Sequence, residues 1–222
     1  MCLQSCIQRL FPTVPQRIRT SLRDDRFRHN NIRTVFISAV LIPEQLFYAL
    51  FLNSAGSLAR TVFLISAAGL VPIFLISLNF YRNKPQRTTP LHTLFSLSLA
   101  LFGLGIATWR LVLAGGAAFS LPTIFLAVLY ATAVIYSFSY IQSAVIYGIF
   151  AICSVLLYRY FGAHTTSLVY AADIVSNTLI AWIIAAFNYR STMTVFLGQQ
   201  MINTMNRELV EISERDHLTG LF

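Results

Sequence analysis

Long apolar stretches dominate the sequence and limit the folds open to it. They recur near residues 33–53, 60–81, 91–110, 119–139, 141–161 and 168–189. A helix rises 1.5 Å per residue, so each stretch reaches about 30 Å, the thickness of the hydrocarbon core of a bilayer. Only 11% of the residues are charged, against about 25% in soluble domains. The sequence therefore predicts an all-α membrane protein with six transmembrane helices, which together form a transmembrane domain over residues 32–189.

Most of the lysines and arginines fall on one side of these predicted helices. Seven of the sixteen lie before residue 34, in or beside a basic arm predicted over residues 1–31. With this arm in the cytoplasm, thirteen of the sixteen are cytoplasmic, as the positive-inside rule requires. An even number of spans then returns the C-terminus to the cytoplasm. The charge is thus a topology signal and does not indicate a nucleic-acid partner.

The arm carries apolar residues on one helical face between its arginines, at Ile18, Leu22 and Phe27. Two interpretations are open. A basic amphipathic segment can lie on an anionic inner leaflet, where each basic residue adds about 1 kcal/mol. The same residues can instead serve only as the basic flank that fixes topology. Membrane lipids are expected partners in either case.

The polar segment after the last apolar stretch, residues 190–215, has a regular apolar pattern. Its apolar positions follow alternating four- and three-residue steps at Val195, Gly198, Ile202, Met205, Leu209 and Ile212. This spacing is the a/d seam of a left-handed coiled coil, in which apolar side chains repeat every 3.5 residues. We therefore predict a cytoplasmic coiled-coil signalling helix that joins two copies of the chain into a homodimer.

This helix leads into a short motif, Asp216-His217-Leu218-Thr219-Gly220-Leu221. The motif resembles the D-x-L-T-G-L that opens the catalytic domain of GGDEF-family diguanylate cyclases, where it also follows a signalling helix. In that family x-N-R usually comes next, and Phe222 occupies the x. The matched residues are Asp216, Leu218, Thr219, Gly220 and Leu221, so residues 216–222 are expected to be the first of a GGDEF domain.

The resemblance implies a bacterial inner-membrane protein whose bundle regulates a diguanylate cyclase. The missing catalytic domain would condense two GTP molecules into cyclic di-GMP with Mg²⁺, and it would work as a dimer. The catalytic residues of the family lie beyond Phe222, so the 222-residue chain is expected to be inactive by itself.

Two acidic residues lie within the predicted spans, Glu44 and Asp173, where a carboxylate is costly and indicates a functional site. Basic and aromatic side chains are expected at the same depth, which gives the candidate set Glu44, Asp173, Asn177, Tyr170, Trp109, Arg110 and Arg159. Either this set binds a small or lipid-like ligand, or Asp173 forms a structural ion pair with Arg110 or Arg159. In the second case, a neutral Glu44 would bond to backbone groups freed by Pro43.

Other functions fit the same layout. The bundle can belong to another signalling enzyme, such as a histidine kinase or an adenylate cyclase. It can also be a small transporter, or an anchor that docks other membrane proteins. The sequence after His217 does not match a phosphoacceptor histidine, and no repeat of three helices against three indicates a transporter. The chain has no metal-ligand spacing, nucleophile triad or phosphate loop, so no cofactor is predicted for it.

Overall fold

The computed structural model describes residues 16–85, 88–113, 121–161 and 167–219. These ranges are helical and contain no β-strand. The elements in order are α1 (Gln16–Phe47), a π-helical segment (Tyr48–Leu52), α2 (Leu58–Arg82), α3 (Pro90–Ser96), α4 (Ser98–Leu113), α5 (Leu121–Ile135), α6 (Tyr140–Phe161) and α7 (Ser167–Thr219). The predicted all-helical fold is confirmed over the described residues.

Four of the described helices are long and apolar enough to span a membrane. They are Ile18–Leu52, Leu58–Arg82, Tyr140–Leu157 and Ala171–Glu214. α3 and α4 together make a fifth candidate, bent by 48° where they meet. α5 has 15 residues and is therefore only about 22 Å long. These helices agree with a membrane-spanning protein, whereas the predicted number of six spans is not confirmed.

The fourth predicted span, 119–139, ends earlier than expected. α5 stops at Ile135, four residues before the predicted end. The reason is tertiary, because side chains of α1 and α7 bond to the last carbonyls of α5 and to those just after it. Residues 114–120 lie outside the described ranges.

The N-terminal part of α1 packs against protein on its apolar side. α1 begins at Gln16 and has no break at residue 32. Leu22 is 3% exposed and clusters with Met193 and Phe196 of α7. Phe27 makes edge-on ring contacts with Phe80 and His92. The apolar face that the sequence offered to an anionic leaflet is thus covered by α2, α3 and α7.

The main core lies between α4, α5, α6 and α7. Leu104, Leu129 and Tyr147 are among its fully buried side chains. Ala181 and Ala185 of α7 are 0% exposed, and this small-xxx-small spacing lets α7 approach its neighbours closely. α1 and α2 pack mainly on each other, and α2 joins the core through α4. α7 continues as one helix of 53 residues far beyond this core.

Candidate functional sites

Glu44 lies in a cluster at the far end of α1, near the change to π-helical geometry. The guanidinium carbon of Arg110 lies 4.8 Å from the ring centroid of Phe63, and the Tyr48 ring stacks on Phe63 at 5.3 Å. Glu44 lies one helical turn before Tyr48 and within electrostatic range of Arg110, although no ion pair joins Glu44 to Arg110 among the described residues. Four elements therefore meet here: α1, the π-helical segment, α2 and α4. We call Glu44, Tyr48, Phe63 and Arg110 the Glu44 cluster.

Asp173 and Asn177 belong to a second group, on α7. The amide of Asn177 donates to the backbone carbonyl of Asp173 at 2.7 Å, as their predicted shared face allows. The hydroxyl of Tyr130 on α5 donates to the side-chain oxygen of Asn177 at 2.6 Å. The carboxylate of Asp173 is exposed. No hydrogen bond or ion pair among the described side chains joins this group to the Glu44 cluster.

Two of the remaining predicted site residues, Arg159 and Trp109, do not join either group in the described part of the chain. Arg159 is exposed near the end of α6, and Trp109 is half-buried beside Arg110. The side chain of Tyr170 lies outside the described part of the chain. The charge of Arg110 is thus near Glu44, whereas the sequence-based alternative paired it with Asp173.

A third site, which the sequence analysis missed, surrounds the C-terminal end of α5. The last carbonyls of a helix have no partner within the helix and need donors from elsewhere. The amide of Asn188, on α7, lies 3.3, 2.8 and 3.1 Å from the carbonyl oxygens of Ala133, Val134 and Tyr136. One side chain of α7 therefore lies within hydrogen-bond distance of three carbonyls at and just after the end of α5.

Side chains of α1 cap the same end from the other side. Arg33 donates to the carbonyl of Ile135. Arg26 and Asn30 donate to the carbonyl of Ser137 at 3.2 and 3.3 Å, and the Ser137 amide returns a hydrogen bond to Asn30 at 3.1 Å. Two positive charges thus lie at the negative end of the α5 dipole, where cations are favoured. This placement offsets part of the cost of burying Arg26, which is 8% exposed.

Further contacts tie these residues to α3, α6 and α7. The hydroxyl of Thr34 lies 3.0 Å from that of Tyr136 and 3.3 Å from the carbonyl of Ser96. Arg26 also donates to Gln142 at 2.7 Å, and its guanidinium lies 5.1 Å from the centroid of the Tyr189 ring. We call the set the α5 cap: Arg26, Asn30, Arg33, Thr34, Tyr136, Ser137, Asn188 and Tyr189. The sequence feature that could have revealed this site is Asn188, an amide side chain in the last turns of an apolar stretch.

The predicted seam lies on the exposed part of α7. Val195, Ile202, Met205, Leu209 and Ile212 are 50–63% exposed in the single chain, and Gly198 is exposed as well. The helix continues through Asp216 and Leu218 to Thr219, whereas Gly220 and Leu221 lie outside the described residues. The coiled coil itself stays a prediction, because one chain offers the seam no partner.

The described residues contain no group of three or more His, Cys, Asp or Glu side chains that could hold a metal ion. No protein-family model, curated protein or solved structure matches the chain.

Proposed function

We propose that this chain is the membrane sensory and dimerisation domain that regulates a C-terminal diguanylate cyclase. That cyclase would form cyclic di-GMP from two GTP molecules with Mg²⁺. The observation that carries the proposal is α7, a single helix that begins at Ser167 in the apolar region and continues to Thr219. It enters the D-x-L-T-G-L motif at Asp216 with no break that would uncouple the two.

The exposed seam supports pairing with a second copy. The five large apolar side chains of the seam are 50–63% exposed on residues 190–215, which we call the stalk, where Met201 and Val210 are similarly exposed but lie off the seam. A 3.5-residue repeat keeps the seam facing one partner helix along its whole length. Two chains inserted in the same membrane direction present parallel stalks. A parallel homodimer would therefore bury the seam, and this pairing would bring two cyclase domains together.

The proposed topology has six spans in a bacterial inner membrane, with both termini in the cytoplasm. α5 would be a short span whose end is completed by the α5 cap, and α3 with α4 would be one bent span. The proposal follows the basic residues, which gather at the N-terminus and in the segment around Arg82 and Lys84. Both of these regions then lie on the side of the membrane where GTP is found.

The test of the function is the cellular cyclic di-GMP level. The natural reading frame continued past Phe222 is expressed beside the 222-residue chain as the control. We expect the extended protein to raise cyclic di-GMP and the control to leave it at the background level. A frame that contains no GGDEF domain, or an extended product that forms no cyclic di-GMP, would rule the proposal out.

For the sensory role, we expect the Glu44 cluster to affect output. Glu44→Gln removes the negative charge near Arg110, so it should change cyclic di-GMP output across a pH series by roughly two- to thirtyfold, the usual range of coupling energies. Asp173→Asn is the matched control, because it makes the same acid-to-amide change on a residue that is exposed like Glu44 but belongs to the other group. Identical pH profiles for the wild type and both variants would remove these acids from the mechanism.

A further inference from the structure

The α5 cap joins two helices that are far apart in the sequence. Asn188 of α7 and the side chains of Arg26, Asn30 and Arg33 of α1 bond to consecutive carbonyls at one helix end. Ser137 and Asn30 are buried, and a buried carbonyl that loses its donor is costly. Neither α1 nor α7 can leave this end without exposing unpaired carbonyls, so the positions of the two helices depend on each other.

α1 also contacts α7 directly, on the side away from the seam. Tyr189, Met193 and Phe196 are buried and follow each other at four- and three-residue steps, which places them on one face of α7. They contact Arg26 and Leu22 of α1. Val195 lies between them in sequence but on another face, and it is 57% exposed. α1 therefore contacts the face of α7 that lies opposite the seam, at the level where the seam begins.

The same helix connects the α5 cap to the Glu44 cluster. Arg26 and Glu44 are both on α1, a helix that is continuous from Gln16 to Phe47. Their eighteen-residue separation corresponds to about 27 Å along the helix axis. A displacement of α1 at the Glu44 cluster can therefore reach the α5 cap along one continuous helix, in which Pro43 lies one residue before Glu44.

We propose that the α5 cap is a joint that fixes the rotational setting of α7 against α1, and thereby the direction in which the stalk seam faces. Rotation of α7 separates Asn188 from its three carbonyls and Tyr189 from Arg26 in the same movement. The joint thus favours discrete settings over a continuous range, as packed switching elements do. Its effect on a cyclase rests on the proposed function, whereas the joint itself is a property of this chain.

The experiment measures the α1–α7 contact within one chain, in the 222-residue protein in lipid nanodiscs. Cys2, Cys6 and Cys153 are replaced by serine, and the pair Leu22→Cys and Met193→Cys reports the contact by its rate of disulfide formation. In this background, Asn188→Ala removes the α7 side of the cap and Asn30→Ala removes part of the α1 side. We expect each to slow disulfide formation by roughly tenfold, as the loss of buried hydrogen bonds worth about 1.4 kcal/mol would.

The matched control is Thr194→Ala. Thr194 is exposed on α7, less than two turns from Asn188, and its hydroxyl bonds only to its own helix, at the carbonyl of Arg190. We expect the wild-type rate for this variant. Only variants that keep the helical circular dichroism and the elution volume of the parent protein are compared. Asn188→Asp keeps the size of the side chain but loses the amide donor, and it replaces a variant that fails this test. Equal rates for the cap variants and Thr194→Ala would overturn the proposal.

A second readout separates this inference from the proposed function. Single cysteines at residues 208–212 report which face of the stalk pairs between chains. With the cap intact, cross-linking should peak at Leu209 and Ile212, and Asn188→Ala should flatten the peaks. Slower disulfide formation without any stalk cross-linking would support the joint and count against the dimer. A stalk pattern that is unchanged by Asn188→Ala would overturn the joint and leave the dimer standing.

Discussion

Leu209→Asp is expected to abolish pairing of the stalk, whereas Val210→Asp, one residue further along α7, is expected to leave it nearly intact. The two side chains are 63% and 58% exposed in the single chain, so one chain gives no reason for them to differ. The predicted seam gives a reason for them to differ, because Leu209 lies on the seam and Val210 does not. Losing one buried leucine from each chain costs about 2–3 kcal/mol per chain and opposes two carboxylates. Counted over both chains, the dimer dissociation constant should therefore rise by about a thousandfold or more.

The measurement is the monomer–dimer equilibrium of the labelled protein in nanodiscs or liposomes, followed by single-molecule photobleaching over a range of protein-to-lipid ratios. Met201→Asp is a second control, since Met201 is 61% exposed and off the seam. Equal effects of Leu209→Asp and Val210→Asp on the dissociation constant would mean that the seam on α7 is not a pairing surface.

Arg26→Leu is expected to lower the free energy of unfolding by about 2–4 kcal/mol, since hydrogen bonds to charged groups contribute about 1.5–3 kcal/mol each. Arg26 donates to Ser137 and Gln142 and lies over the ring of Tyr189. Leucine removes both donors but leaves the buried Ser137 carbonyl in place. It also removes a positive charge from the end of α5, where the helix dipole favours one.

Arg28→Leu is the matched control, because it removes the same charge two residues further along α1 from an exposed position. Its unfolding free energy should stay within about 0.5 kcal/mol of the wild type. Denaturant titration of the detergent-solubilised protein, followed by helical circular dichroism, measures both variants. If the two arginine variants lost the same stability, the cap would not be the reason that Arg26 is buried.

The local sequence was sufficient to predict a helix whose two ends are determined by its own residues. α2 runs from Leu58 to Arg82, within two residues of the predicted 60–81. Ser57 caps its first turn by accepting from the amide of Arg60 at 3.2 Å, and the apolar run ends at a charged residue. An element whose ends are set by its own residues can be read from the sequence.

One helix end follows from residues far away in the chain, and one bend has no proline or glycine to mark it; neither was predicted from the sequence. α5 ends at Ile135, four residues before the predicted end, because Arg26, Asn30 and Asn188 bond to the carbonyls that follow. α3 and α4 meet at Leu97 with a bend, although neither proline nor glycine occurs at that position.

The candidate site shows the same division. Glu44 and Arg110 were grouped because both were expected at one depth; in the structure they are within electrostatic range of each other but form no ion pair. Asp173 and Asn177 share a helix face as their spacing indicated, but their cross-helix partner is Tyr130, a residue with no distinguishing pattern. The α5 cap was missed because its donors come from helices more than one hundred residues apart in the sequence.

The central claim is that the pairing of α7 in this membrane domain controls the condensation of GTP. It is tested most directly by the rate of cyclic di-GMP formation by the intact protein in nanodiscs, with GTP and Mg²⁺, for the wild type, Leu209→Asp and Val210→Asp. The account predicts product from the wild type and from Val210→Asp, and a rate for Leu209→Asp that falls in step with its loss of pairing. No product from the wild type, or equal rates for all three proteins, would contradict it.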